Sequence, residues 1–284
     1  MKFYLTKLLQ ISFCKKLLSN SFFHNVLDIS IKAKQKNKST LQFAKIKICN
    51  IPLIAISLII IISTSSCKKE WSYKGSNNPN NWGNIDEKFK FCKIGYNQSP
   101  IDIKDSFVVN DLKFNLKKSE GEKKKQKYNL KIEFFDNNIY VIRAKRKFFL
   151  HYLNFHHPSE HLVNSNNYSL EMQFAFKSDD EQWLILAYFL EIGDENKNFF
   201  ELINFLKSKN KESIIDLSKI IIADDKSFFY DGSFTTPPCL EGVKWYVMEK
   251  PIIISKDQMN EIIKNSIFTK SNARPVQKFN RLEY

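Results

Sequence analysis

Arginine is nearly absent. Of the 44 basic residues in 284, only Arg143, Arg146, Arg274 and Arg281 are arginine. Guanidinium groups are the bidentate readers of bases and phosphates. Their scarcity excludes nucleic acid from the expected partners, despite a formal charge of +14. Acidic residues are missing from one region only: residues 1–67 hold ten lysines and the single acid Asp28, a net +9. That leaves 34 basic and 29 acidic residues in 68–284, so the remainder carries about +5. Internal repeats and linkers are also lacking. Trp71–Tyr284 therefore reads as one domain. What is abundant is apolar material, 43% hydrophobic and 14% aromatic. This excludes an acidic disordered chain and is ample for a packed core.

The basic N-terminal tract has its own logic. Lys45 and Lys47 precede the apolar run Ile51–Ile62, then come the small residues Ser63-Thr64-Ser65-Ser66 and Cys67. A basic segment, a dozen apolar residues and a small-residue cleavage site describe a secretory signal. With a cysteine directly after, the pattern resembles a bacterial lipoprotein signal, with Cys67 as the lipidated residue. Thr64 stands where that pattern usually has leucine, and a single membrane-spanning anchor remains the alternative. The expected organisation is an N-terminal extension and lipoprotein-type signal over 1–66 and a folded domain over 67–284. The expected location is outside the cytoplasm, membrane-anchored in the periplasm or at the cell surface.

Along the folded part, Tyr128–Phe134 alternates strictly between polar and apolar residues. Ile139–Ile142, Phe148–His156, Leu170–Phe176, Trp183–Ile192 and Val243–Met248 also read as strands. Only Phe199–Lys209 and Lys256–Asn265 have helical character. The lysine-rich stretch Lys117–Lys127 reads as a solvated loop. Of five cysteines, Cys14 and Cys49 fall in the leader and Cys67 is the candidate lipid site, leaving Cys92 and Cys239. In an exported chain two such distant cysteines suit a disulfide better than a metal pair.

Four of the five histidines, His151, His156, His157 and His161, fall within eleven residues. Residues two apart in a strand share a face, so Asn154 and His156 point one way and His157 the other. The run Asn154-Phe155-His156-His157-Pro158-Ser159-Glu160-His161 resembles the His-x-His-x-Pro-Ser-Glu-His segment of α-type carbonic anhydrases. The resemblance continues in Asn164, Tyr168, Leu170–Gln173, Gln98–Ile103, Asp231–Cys239, Val243–Trp245 and Arg274–Gln277. It implies a mainly β fold: one α-carbonic-anhydrase-like domain with a large twisted, mostly antiparallel central sheet and a few peripheral helices. It also places Cys92 and Cys239 where secreted members pair.

The family's chemistry is hydration of CO2 to bicarbonate by a zinc-bound hydroxide, zinc lowering its water's pKa to about 7. By position, Thr235 would take the hydroxide's hydrogen bond and pass its own to Glu160. Thr236 and the Phe234 region would line the substrate mouth, and Ala175, Ile185, Val243 and Trp245 the apolar wall where CO2 rests. The metal positions depart from the pattern: they are Asn154, His156 and Gln173. Amide oxygens are harder and weaker zinc donors than imidazole. Glu171, which matches the acid orienting the third ligand, is left without its usual partner, and Tyr152 replaces a supporting glutamine. Tyr128 occupies the proton-shuttle position. His161 matches a structural position, while His157 and His151 are expected off the site. Two functions follow as expectations: a zinc lyase acting on CO2 and bicarbonate, or a catalytically silent binding or structural lipoprotein.

Overall fold

The computed structural model of the chain describes residues 70–104, 108–222 and 226–280. The expected signal segment and the expected lipid site Cys67 lie outside them. Glu70–Tyr284 forms a compact unit. No helix among the described residues is long and apolar enough to cross a membrane.

Two single-turn helices, α1 (Trp82–Ile85) and α2 (Phe91–Ile94), precede the strands. There follow β1 (Asp102–Ile103), β2 (Val108–Val109), β3 (Lys113–Asn115), β4 (Lys118–Lys125), β5 (Leu130–Phe134), β6 (Tyr140–Arg143) and β7 (Arg146–His156). Then come β8 (Leu162–Val163), β9 (Leu170–Lys177) and β10 (Trp183–Ile192). After these the chain runs through α3 (Phe200–Lys207), β11 (Glu212–Asp216), β12 (Ser227–Ser233), β13 (Glu241–Met248), β14 (Ile252–Ile254) and α4 (Lys256–Ser266). Twelve strands form one sheet whose main path is β11-β4-β5-β7-β9-β10-β13-β12-β2. Its pairings are antiparallel except where β10 meets β13 and β14. β1 and β8 make a separate parallel pair.

Alternation divides the sheet's residues between two faces. Leu170, Met172, Phe174 and Phe176 of β9, with Leu184, Leu186, Tyr188 and Leu190 of β10, enter the main core under α3 and α4. Helix α4 starts on a capping box, Ser255 accepting from the Gln258 amide while the Gln258 side chain accepts from the Ser255 amide. The opposite face carries Ala175, Ile185, Ala187, Val243, Trp245 and Val247. In β7 the register slips between Leu150 and Tyr152, with His151 as the extra, exposed residue. Phe148 and Leu150 before the bulge, and Leu153 and Phe155 after it, can then share the main core. Tyr152, Asn154 and His156 are thereby turned onto the opposite face.

The lysine-rich stretch is a strand, not a loop. β4 is paired on both sides, by β11 and β5. Ser119 and Gly121 face inward, and Lys123 donates to the carbonyl oxygens of Phe205 and Ser208 at 2.9 and 2.6 Å. The lysines occupy positions whose aliphatic stems can cover the sheet while their charges stay near water. Cys92 and Cys239 form a disulfide, with Cα atoms 5.0 Å apart and a sequence separation of 147.

Candidate active site

Two adjoining strands bring the expected metal positions together. Asn154 of β7 pairs with Gln173 of β9, and His156 with Glu171. One rung along, Tyr152, Ala175, Ile185, Trp245 and Tyr230 follow one another across β7, β9, β10, β13 and β12. Ala175, Ile185, Val243 and Trp245, the residues expected to form the wall, are all buried in one apolar cluster beside the polar row. Thr235 is buried and Thr236 half-buried, in the loop after β12 next to the disulfide. Phe234 meets Trp183 edge to face at 5.3 Å.

The hydrogen bonds determine which way each amide faces. His156 Nδ1 lies 2.8 Å from the Asn272 carbonyl oxygen and therefore carries the proton. Its Nε2 is then an acceptor, and Asn154 Nδ2 donates to it at 2.9 Å. Asn154 Oδ1 is left buried with no partner among the described residues. Gln173 turns its nitrogen to two carboxylates, donating to Glu160 Oε2 at 3.1 Å and Glu171 Oε1 at 2.9 Å. Glu160 Oε1 accepts from the Arg274 backbone amide at 3.0 Å and lies 3.3 Å from His156 Nδ1. The expected hydrogen bond between Thr235 and Glu160 is not among those of the described residues; the Gln173 amide takes that oxygen.

Glu171 is not left without partners. Its Oε2 accepts from the backbone amides of Glu160 and His161, each at 2.9 Å, and its Oε1 faces His161 Nδ1 at 2.9 Å. Burial opposes its ionisation, but the neighbouring His161 and these hydrogen bonds outweigh it and hold the carboxyl at about 2. His161 is buried behind the row, its Nε2 2.6 Å from the Tyr230 hydroxyl. His157 faces the Ser169 carbonyl oxygen at 2.7 Å, and exposed His151 sits 5.5 Å from the Trp183 ring. Tyr128, at the shuttle position, donates its hydroxyl proton to the Trp71 carbonyl at 2.9 Å and packs against Trp71 and Tyr73.

Three further residues matter to the site: Asn272 and Lys131 carried no local signal, and Arg274 only that of the resembling run Arg274–Gln277. Asn272 supplies the acceptor for His156 Nδ1, accepts from the His157 amide and donates to the Phe155 carbonyl. Arg274 is buried, donating to Gln98 Oε1, the Ser99 carbonyl and the Cys92 carbonyl. Burial lowers its pKa to about 10, against the raising effect of Glu160. Lys131 lies with its ammonium 4.0 Å from the centre of the Tyr152 ring.

The model of the eukaryotic-type carbonic anhydrase family matches residues 77–282. The chain belongs to that family. Alpha carbonic anhydrase 8 of Arabidopsis thaliana is 32% identical over 75% of this chain, an alignment that spans 59% of the plant protein. A dioscorin solved in complex with ascorbate superposes at a TM-score of 0.67 and 28% identity, covering 74% of this chain and 94% of that one. A hyperthermostable carbonic anhydrase from a hydrothermal vent chimney gives 0.67 and 29%, covering 74% and 96%.

Carbonic anhydrases of this type use zinc, and the donors present here do not fit it. The only imidazole in the row spends its Nε2 lone pair on an amide N–H. Gln173 has its nitrogen fixed by two acids, and Asn154 presents hydrogen rather than oxygen to His156. Among the described residues no group of three or more His, Cys, Asp and Glu could hold a metal.

Proposed function

We propose that this chain is a catalytically silent carbonic anhydrase relative, a binding protein on the family's scaffold that does not hydrate CO2. The observation that carries this reading is the Asn154 amide seated on His156 Nε2, the atom a ligand histidine needs free. The Gln173 bridge between Glu160 and Glu171 supports it, because the glutamate that would orient a zinc-bound hydroxide is already engaged. The dioscorin solved with ascorbate supports a binding role, being a protein of similar fold that holds a small organic molecule. In this reading the protein is exported and held at a membrane through lipid on Cys67. The Cys92–Cys239 disulfide favours an oxidising location. The competing reading, a zinc lyase acting on CO2 and bicarbonate, draws on family membership and on retained Glu160, Thr235 and the apolar wall.

Stopped-flow CO2 hydration of the purified protein, with zinc supplied, separates the two. The expected result is the uncatalysed rate, and sulfonamide-sensitive hydration by the unaltered protein overturns the proposal. In the same assay the double variant Asn154→His, Gln173→His should bind about one zinc per chain and begin to hydrate CO2. It restores two imidazoles where Glu171 already stands to orient one of them.

A further inference from the structure

A buried acceptor without a donor is destabilising, and among the described residues Asn154 Oδ1 is one, in a residue only 7% exposed. The face it belongs to holds a second incomplete group. Ile132 and Glu133 of β5 pair with Leu153 and Tyr152 of β7. The ladder carried one rung further sets Lys131 opposite Asn154, on the same face as Tyr152. The Lys131 ammonium over the Tyr152 ring confirms that side. Lys131 is half-buried and has no carboxylate within ion-pair distance among the described residues. Burial lowers its pKa, with Glu133 opposing more weakly, so its charge is under-compensated. Of the acids on this face, Glu133 stands opposite Tyr152 outside ion-pair distance of Lys131, Glu122 pairs with Lys124, Glu160 is engaged by Gln173, His156 and the Arg274 amide, and Glu171 by His161, Gln173 and two backbone amides. The Tyr152 hydroxyl likewise has no hydrogen-bond partner among the described residues.

We propose that this face binds a small organic anion bearing a hydroxyl group, its carboxylate on Lys131 and its hydroxyl donating to Asn154 Oδ1. The proposal rests on the metal-free reading above, because it gives a lysine the role of attracting an anion that zinc has elsewhere in the family. A bare carboxylate would satisfy Lys131 but leave Oδ1 orphaned. A ligand ammonium could donate to Oδ1 but would sit beside Lys131 and be repelled. The hydroxy acid satisfies both groups.

The test is an NMR titration of the intact protein with glycolate and with acetate, each with and without a chelator. Glycolate is expected to bind with a dissociation constant on the order of 1–10 mM, given its few heavy atoms. It should bind about tenfold more tightly than acetate, the discrimination of one satisfied buried acceptor. Lys131→Gln should weaken both about tenfold, and Asn154→Leu should abolish the difference between them. Equal binding of the two acids, no binding of either, or indifference to Lys131→Gln overturns the inference while leaving the silent reading intact. Glycolate binding that vanishes with chelator means a metal holds the ligand, and both readings then fall.

Discussion

Asn154 and His156 stand two residues apart on β7, and the proton on His156 Nδ1 obliges Nε2 to accept. One amide thus occupies the lone pair on which the family's chemistry depends. Glu171 shows the same economy, serving His161, Gln173 and two backbone amides at once. Its folded pKa, about 2, lies below the ordinary 4.5. A depressed carboxylate stabilises the fold fully above the unfolded value and loses that contribution as pH falls. Stability should therefore decline between about pH 4.5 and 2, by on the order of 3 kcal/mol from this group. Glu171→Gln should be less stable at neutral pH and show a flatter acid limb in urea melts. An acid limb unchanged by the substitution contradicts this. The substituted positions Asn154 and Gln173 were legible because they fall within an ungapped motif. Asn272 and Lys131 were not: Asn272 meets His156 across 116 residues of sequence, and Lys131 looks like any solvated lysine until its strand is paired.

Among the elements, β7 shows how far periodicity reads. Its apolar positions change phase at His151, Phe148 and Leu150 against Leu153 and Phe155, and the bulge there is the physical form of that change. Parity correctly put Asn154 with His156 because both lie beyond the bulge. β4 was misread because composition outweighed pattern: its lysines masked an inward row of Ser119 and Gly121. Gly121 permits the close approach of β5, since a Cβ there would lie 2.7 Å from Ile132 Cγ2 and 3.2 Å from Phe134 Cε1. Gly121→Val should overpack this contact and destabilise by about 1–3 kcal/mol. The urea midpoint should fall at constant slope, and an unchanged midpoint would show that β4 can shift outward.

For the whole molecule, the sheet's order was legible only through the resemblance, because pairing between distant strands leaves no local trace. Segments far apart in sequence are tied together by two devices. The disulfide closes a loop of 147 residues, which the chain-entropy account values at about 5 kcal/mol. Arg274 ties the irregular C-terminal segment to Cys92, Gln98 and Ser99. Cys92→Ser with Cys239→Ser should lower the melting temperature by roughly 10 °C or more, an effect reproduced by reducing the unaltered protein. Nine of the formal +14 charges lie in residues 1–67, which leaves about +5 for residues 68–284. The domain's function turns on whether its polar row holds a metal. The most direct measurement is the metal content of the intact protein after equilibration with excess zinc and removal of the unbound metal. The account predicts far less than one zinc per chain; about one, lost together with catalysis on chelation, would contradict it.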